Sequence, residues 1–378
     1  MKQFFYAFIF LLLVACGPGN STDEKAIDTD LNFTLDTLLI DPVDEFLYLN
    51  AGLRVAALDE KNQYLYNFNP NDYTLEKIDL DKGILAEKLP FEKEGPDGVG
   101  EMVFGMNLIS SNSIAFMGYM NVRLFGLEGD KRSEFTFNDR AFGGDKLEQS
   151  ENFQFLNNQM VDFHTMIGLI RDGRKKTYAL GILKTDTQTL TKVPLPFEAL
   201  ENFRFRLSSP SRIQMSFPTV TISKHQKSYI ISNDISNKIL LYDNDSLFQI
   251  EYQSKLTADK KTGKYNQEFE NEEAFKQTSL DMRREINFMA PLWDEEKQLF
   301  YRFSHKIIKI GKDVENYQDM ESAVYLTVFD PDFNVLAESL VEGLNTPPGY
   351  HFVKDGKIWM YINTQDEMGF VRLTVDVE

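Results

Sequence analysis

Apolar and polar residues alternate with a period of two along most of this chain, in short stretches separated by polar, turn-forming clusters. Such alternation predicts half-buried β-strands joined by tight turns. One unit recurs: an alternating strand, a polar turn, a second alternating strand. It runs Tyr64–Phe68, turn Asn69–Asp72, Leu75–Leu80, and returns as Val122–Phe125, turn Glu128–Asp130, Glu134–Phe137. Further copies are Tyr178–Leu183 with Leu190–Val193, Ile239–Tyr242 with Phe248–Tyr252, and Tyr325–Phe329 with Val335–Glu338. Their turn centres fall near residues 69, 128, 186, 244 and 331. The first three steps are each about 58 residues, and fixed self-similarity at that length predicts propeller blades. The longer last step reads as one insertion. A decorated β-sandwich would leave the even spacing unexplained.

Two more strands precede the hairpin in most units, as Val103–Ile109 and Ser113–Met117 do in the second. Four short antiparallel strands per unit make a propeller blade. The chain ends on a sixth unit with three strands, Tyr350–Val353, Lys357–Ile362 and Gly369–Val375. A fourth is available at the other end, Leu31–Ile40. Pairing it with the last strand would remove an open edge, and Leu35, Leu38 and Ile40 should then be at least partly buried. The expectation is an all-β, six-bladed β-propeller of four-stranded antiparallel blades, closed by an N-terminal strand, with one helical insertion near 255–285.

The start of the chain follows a different pattern. Met1-Lys2-Gln3 leads into an apolar run ending Leu13-Val14-Ala15-Cys16-Gly17. The run is too short for a stable membrane span and reads as an export signal. Leu13-Val14-Ala15-Cys16 resembles the lipobox of bacterial lipoproteins, which implies lipidation of Cys16. The alternative is a free cysteine in an ordinary cleaved signal. The resulting division is 1–15 signal peptide, 16–30 lipidated tether and 31–378 propeller. Gly17 follows the cysteine, and the resemblance to Gram-negative lipoproteins implies passage to the outer membrane. The lipobox, the repeats and the loop Glu94-Gly95-Pro96-Asp97-Gly98-Val99-Gly100 together resemble Bacteroidota-type six-bladed β-propeller lipoproteins of unknown function. The resemblance implies a fold and a cell-envelope location, and no reaction.

Charge narrows the partners. With 58 Asp and Glu against 40 Lys and Arg, the formal net charge is −18. That argues against nucleic acid, which needs basic patches, and against a polybasic hold on lipid. The membrane would be reached through the lipid anchor only. A single cysteine forbids an internal disulfide. The four histidines, His164, His225, His305 and His351, show no metal-ligand spacing, and no cofactor motif occurs. Asp330-Pro331-Asp332-Phe333-Asn334 begins like a calcium loop but has Val335 where glycine is required.

Candidate chemistry falls on the long loops. In a propeller the segments 92–101, 138–151, 198–212, 254–285 and 311–322 would all emerge on one face, and long loops on a rigid scaffold carry function. Arg204, Arg206 and Arg212 stand out in an acidic chain as a possible anion-binding patch, against the plainer reading that they pair with the chain's own carboxylates. Glu270–Ile286 reads as an amphipathic helix with Arg283 and Arg284 near its C-terminus. These five arginines are the candidate ligand-binding residues. Two readings follow: a non-catalytic propeller binding a protein partner or extracellular ligand, or a propeller hydrolase or lyase acting on glycans or peptides. Buried carboxylates or histidines in the channel would favour the second, and an apolar or water-filled channel the first.

Overall fold

In the computed structural model, residues 31–50, 52–210, 212–310 and 320–376 are described. The proposed signal, Cys16 and the tether lie outside the described residues, as does most of the 311–322 loop. The described chain is all-β and propeller-like. Six sheets follow one another along it, with a smaller seventh inserted.

The first sheet contains Ala56–Leu58, Tyr64–Asn69, Thr74–Asp79 and Ile84–Pro90 in that order. The second runs Gly105–Ser110, Ser113–Met117, Asn121–Gly126, Lys131–Thr136. The fourth runs Val220–His225, Ser228–Asn233, Ile239–Asp243, Ser246–Ile250. The third and fifth depart from four strands. In the third, Glu151–Phe153 and Gln159–Asp162 both pair with Thr165–Asp172, and Gly143–Gly144 adds in parallel beside Thr189–Leu195. In the fifth, Asn287–Phe288 and Leu292–Asp294 share the first position against Leu299–Lys309.

Sequence and structure agree on the hairpins but not on their phase. The hairpin at residues 64–80 supplies the second and third strands of its sheet, whereas those near 128, 186, 244 and 331 supply the third and fourth. Local alternation marks a hairpin without saying which place it takes in a sheet. Turn chemistry is better defined. Asn244 and Asp245 both take positive φ, 45° and 59°, between the paired residues Asp243 and Ser246. That backbone twist suits a two-residue hairpin, and Asn and Asp tolerate it.

Middle strands are buried on both faces; Ser113–Met117 is buried throughout. Their apolar residues fill six clusters, each shared between neighbouring sheets. Phe68, Leu75, Phe116 and Phe125 join the first to the second. Met117, Leu124, Met166 and Leu183 join the second to the third. The series continues through the third and fourth, fourth and fifth, and fifth and sixth sheets. Ile40, Leu65, Ile78, Trp359 and Phe370 then join the sixth to the first.

In the sixth sheet Asn32–Leu39 pairs antiparallel with Glu367–Asp376, from Asn32 opposite Asp376 to Leu39 opposite Gly369. Ile40 is buried and Leu38 packs on the sixth-to-first cluster. Leu35 corrects the expectation: it is 42% exposed, because the strand lies at the sheet edge and Leu35 falls outside the cluster that takes Phe33.

The loop at 94–100 is a turn between the first two sheets. Val99 is fully buried in their shared cluster, and its carbonyl accepts from Arg123 at 2.7 Å. Gly98 is required by contact, since a Cβ there would stand 2.8 Å from the Glu94 backbone. At 330–334 the Asp330 carboxylate accepts from the amides of Asp332 and Asn334, so it caps its own hairpin turn.

Candidate functional site

Two of the long loops build a structure together. Phe205–Ser208 pairs antiparallel with Ile213–Ser216 and in parallel with Glu268–Phe269, making the seventh sheet. Helix α1, Glu272–Arg284, packs on it. Asn271 caps the helix by accepting from the Ala274 amide, Glu272 and Glu273 open it, and Arg283 and Arg284 close it, each sign matched to the helix dipole. The helix is a little shorter than the amphipathic stretch. Phe275, Leu280 and Met282 are buried, and Phe275 meets Phe205 at 5.0 Å between ring centroids.

This arrangement settles where the five arginines go. Arg204 lies 3.8 Å from Glu201, beside Arg171, which grips the same carboxylate through two hydrogen bonds of 2.7 and 2.8 Å. The Arg204 guanidinium also covers the Phe217 ring at 5.4 Å. Arg212 pairs with Glu272 at 3.7 Å, at the start of α1, and Arg284 with Asp281 at 3.0 Å, at its end. A helix of this length separates those two ends by roughly 18 Å, so Arg212 and Arg284 stand apart. Arg206 is exposed, opposite Met215 and Glu268 in the sheet. Arg283 is half-buried, and its carbonyl accepts from Asn287.

The more unusual chemistry lies elsewhere, where the first strands of the fourth, fifth and sixth sheets approach one another. A cavity of about 540 Å³ opens there, lined among others by Thr219, Thr221, Asp234, Asn287, His305 and His351. The Asp234 carboxylate accepts from the Thr219 amide at 3.0 Å. Burial nevertheless pushes its pKa up to about 6, against the pull of Lys261. Burial pushes His305 down to about 4, helped by the positive charges of Lys261 and Arg283. His351 is also lowered by burial. Its Nδ1 lies 2.7 Å from the Gly349 carbonyl, a contact that requires Nδ1 to carry the proton. Nε2 is then an acceptor, and among the described residues it has no partner; nor has His305 Nδ1.

Arg302 braces this cavity. It is fully buried, and its guanidinium donates to the carbonyls of Asn237 at 2.6 Å and Met289 at 2.8 Å, with longer bonds to Ser236 and Asn233. It thereby ties a loop of the fourth sheet to the fifth. By the criterion set above, Asp234 and the two histidines bring catalysis into view. Acid–base catalysis also needs mutual geometry, and among the described residues no hydrogen bond joins Asp234, His305 and His351. The same residues hold no group of three or more His, Cys, Asp or Glu arranged to bind a metal.

The model of a domain of unknown function, DUF4221, matches residues 29–340. The chain belongs to the DUF4221 family. A crystallised DUF4221 member from Bacteroides vulgatus superposes with a TM-score of 0.68 at 12% identity, covering 93% of this chain and 100% of that one. A putative exported protein from Bacteroides fragilis gives 0.54 at 10% identity, over 93% and 98%. The β-propeller domain of Cps50 (Swd1) from Myceliophteria thermophila gives 0.38 at 9% identity, over 90% and 99%. No curated protein matches. At these identities the likeness is one of fold. Among the described residues no helix is long and apolar enough to cross a membrane.

The cavity of this DUF4221 chain has a testable pH signature. His305 is lowered from 6.5 to about 4, so the stability it contributes near neutrality is lost as pH falls from about 6.5 to 4. Asp234 is raised from 3.8 to about 6, so its penalty is relieved as pH falls through nearly the same window. The two slopes oppose each other. His305→Gln removes only the first, and the variant should gain on wild type by roughly 3 kcal/mol between pH 7 and pH 4. Urea midpoints at intermediate pH values check this. Parallel profiles for the two proteins would show that His305 titrates normally.

Proposed function

We propose that this protein is a six-bladed propeller, its ring completed by the N-terminal strand, held at the cell envelope by lipid on Cys16 and acting as a non-catalytic binding protein. The outer membrane is the proposed destination. The ligand enters the polar cavity where the fourth, fifth and sixth sheets meet. One observation carries this reading: two ring nitrogens, His305 Nδ1 and His351 Nε2, are buried at that cavity without partners among the described residues. Buried polar atoms without partners are costly, and a ligand offering hydrogen-bond donors or a bridging hydroxyl removes the cost. A cavity of this size suits a small polar molecule, a short glycan end or a peptide side chain.

A second reading rests on Asp234. A carboxylic acid raised toward 6, in the same cavity as a histidine held neutral by burial, would suit acid–base cleavage of a glycan or peptide.

Full-length wild type and Cys16→Ser, expressed in a Gram-negative host, test both halves. Wild type should sediment with washed membranes and Cys16→Ser should not; equal sedimentation would remove the anchor from the proposal. The released protein is then titrated by calorimetry with envelope-derived oligosaccharides and peptides. Saturable binding weakened at least tenfold by His351→Gln, with the ligand recovered intact, supports the binding reading. Product formation abolished by Asp234→Asn replaces it with the catalytic one.

A further inference from the structure

A second cavity, of about 660 Å³, lies between the turn at 196–203, the fourth-sheet loop at 233–238 and the insertion stretch 260–267. Four lysines line it: Lys238, Lys260, Lys261 and Lys264. Among the described residues that line it there is no Asp or Glu, although the chain carries 58 acids. It is distinct from the cavity lined by His305 and His351, sharing only Asn233 with it. We infer that this cavity is a binding site for an organic anion, a carboxylate or phosphate carried on an apolar or ring-shaped body.

The site is built rather than incidental. Lys261 is buried, and its Nζ donates to Asn287 Oδ1 and to the Met282 carbonyl at 3.2 Å. The stretch that follows is clamped by Glu285, at the end of α1. Its Oε2 accepts from the amides of Thr262 at 2.6 Å and Gly263 at 3.0 Å, and its Oε1 from the Tyr265 hydroxyl. A Cβ at Gly263 would stand 2.4 Å from the Tyr265 ring, so a side chain there would displace that ring. On the other side the backbone of the lysine stretch bonds to the fourth-sheet loop, Lys261 N to Ile235 O at 2.9 Å and Asn237 N to Asp259 O at 2.8 Å. Lys260 and Lys264 are thus presented from a braced backbone.

The charges around it are unevenly matched. Lys238 is tied to Glu251 at 2.8 Å, and Lys260 acts on Glu251 from farther away. Lys261 is offset by Asp234 and Glu285, while burial and Arg283 disfavour its charge. No carboxylate among the described residues forms an ion pair with Lys260 or Lys264. Several cations around one concavity repel each other, and a bound anion relieves that repulsion while the concavity focuses the field that draws it in. The opposite wall is apolar, with Phe197, Leu200 and Phe203 all buried. An inorganic ion would leave that wall unused, which is why the anion should carry a ring or chain. The volume fits a ligand of drug or disaccharide size.

The test uses 1-anilinonaphthalene-8-sulfonate, a fluorescent anion with an aromatic body, against the full Cys16→Ser chain. One saturable class of binding is expected, weakened at least tenfold in the double variant Lys260→Glu/Lys264→Glu. Both side chains are exposed, so the melting temperature should not move. Glucuronate and glucose 6-phosphate should compete, the better of them telling carboxylate from phosphate, and glucose should not. On wild type, the probe should also protect the exposed Lys260 and Lys264 from acetylation, read by mass spectrometry; this arm needs no variant to fold. His351→Gln should leave probe binding unchanged, which separates this site from the cavity lined by His305 and His351. Unchanged affinity in the double variant, equal competition by glucose, or absence of protection would each overturn the inference.

Discussion

A chain that begins at Pro42, without the N-terminal strand, should melt at least about 10 °C lower than the intact protein or lose its cooperative transition altogether. The strand pairs along its whole length with Glu367–Asp376. Asp36 at its centre holds Arg372 and, at 3.0 Å, Lys357. At its end Ile40 N donates to Met368 O at 2.9 Å, and Asp41 exchanges bonds with Gly83 and Leu85 of the first sheet. Removal exposes a full ladder edge together with the cavities left by Leu31 and Ile40, which are buried, and by Phe33 and Leu38, which are half-buried. Apolar burial of that order is worth roughly 5–8 kcal/mol as an upper estimate, comparable to the stability of a whole domain. Two point variants sharpen the test. Leu38→Asp should reproduce much of the loss, while Leu35→Ser, at an exposed position, should cost less than about 0.5 kcal/mol. A truncated chain that melts with the intact one would show that the sixth sheet does not depend on this strand.

Arg302→Met should cost roughly 4 kcal/mol, read as a drop in urea midpoint with an unchanged slope. The guanidinium satisfies four carbonyls from two neighbouring sheets and lies over the Phe288 ring at 5.0 Å. Methionine fills similar space but donates nothing, so buried carbonyls lose their partners. Arg302→Lys keeps a charge and should still lose more than half as much, because one ammonium cannot reach acceptors spread over a planar fork. Near-wild-type stability for Arg302→Met would mean that the loop at 233–237 is held by its other bonds. A second readout follows from position: Asn233, Ser236 and Met289 line the two cavities, so the variant should weaken ligand binding at both even where it remains folded.

Much of this architecture was legible because strands and tight turns are local. Alternation marked the hairpins at 122–137, 178–193, 239–252 and 325–338, and the structure has strands at each. The helix was legible for the same reason, down to the arginines at its C-terminus. What alternation could not convey was phase, as the first hairpin shows, or the extra strands at 143–144 and 151–153, whose pairing partners lie tens of residues away.

The candidate site was much less legible. Three arginines within nine residues drew attention as a patch; of these, Arg204 finds Glu201 and Arg212 finds Glu272, while Arg206 stays exposed. The run Lys260-Lys261-Thr262-Gly263-Lys264 carries no motif of its own, and only folding places it at a cavity. Asp234, His305 and His351 lie far apart in the chain and share no spacing rule. Only the approach of three sheets makes them neighbours.

By itself the sequence determined most of the hairpins, the turns, the helix and the acidic balance, because each depends on residues close together in the chain or on totals over all of it. Tertiary structure alone decided which charges cancel, which sheet shares a core with which, and which polar atoms are buried without partners. Those properties depend on distances across the fold and on exclusion of water, and neither is written into any local pattern.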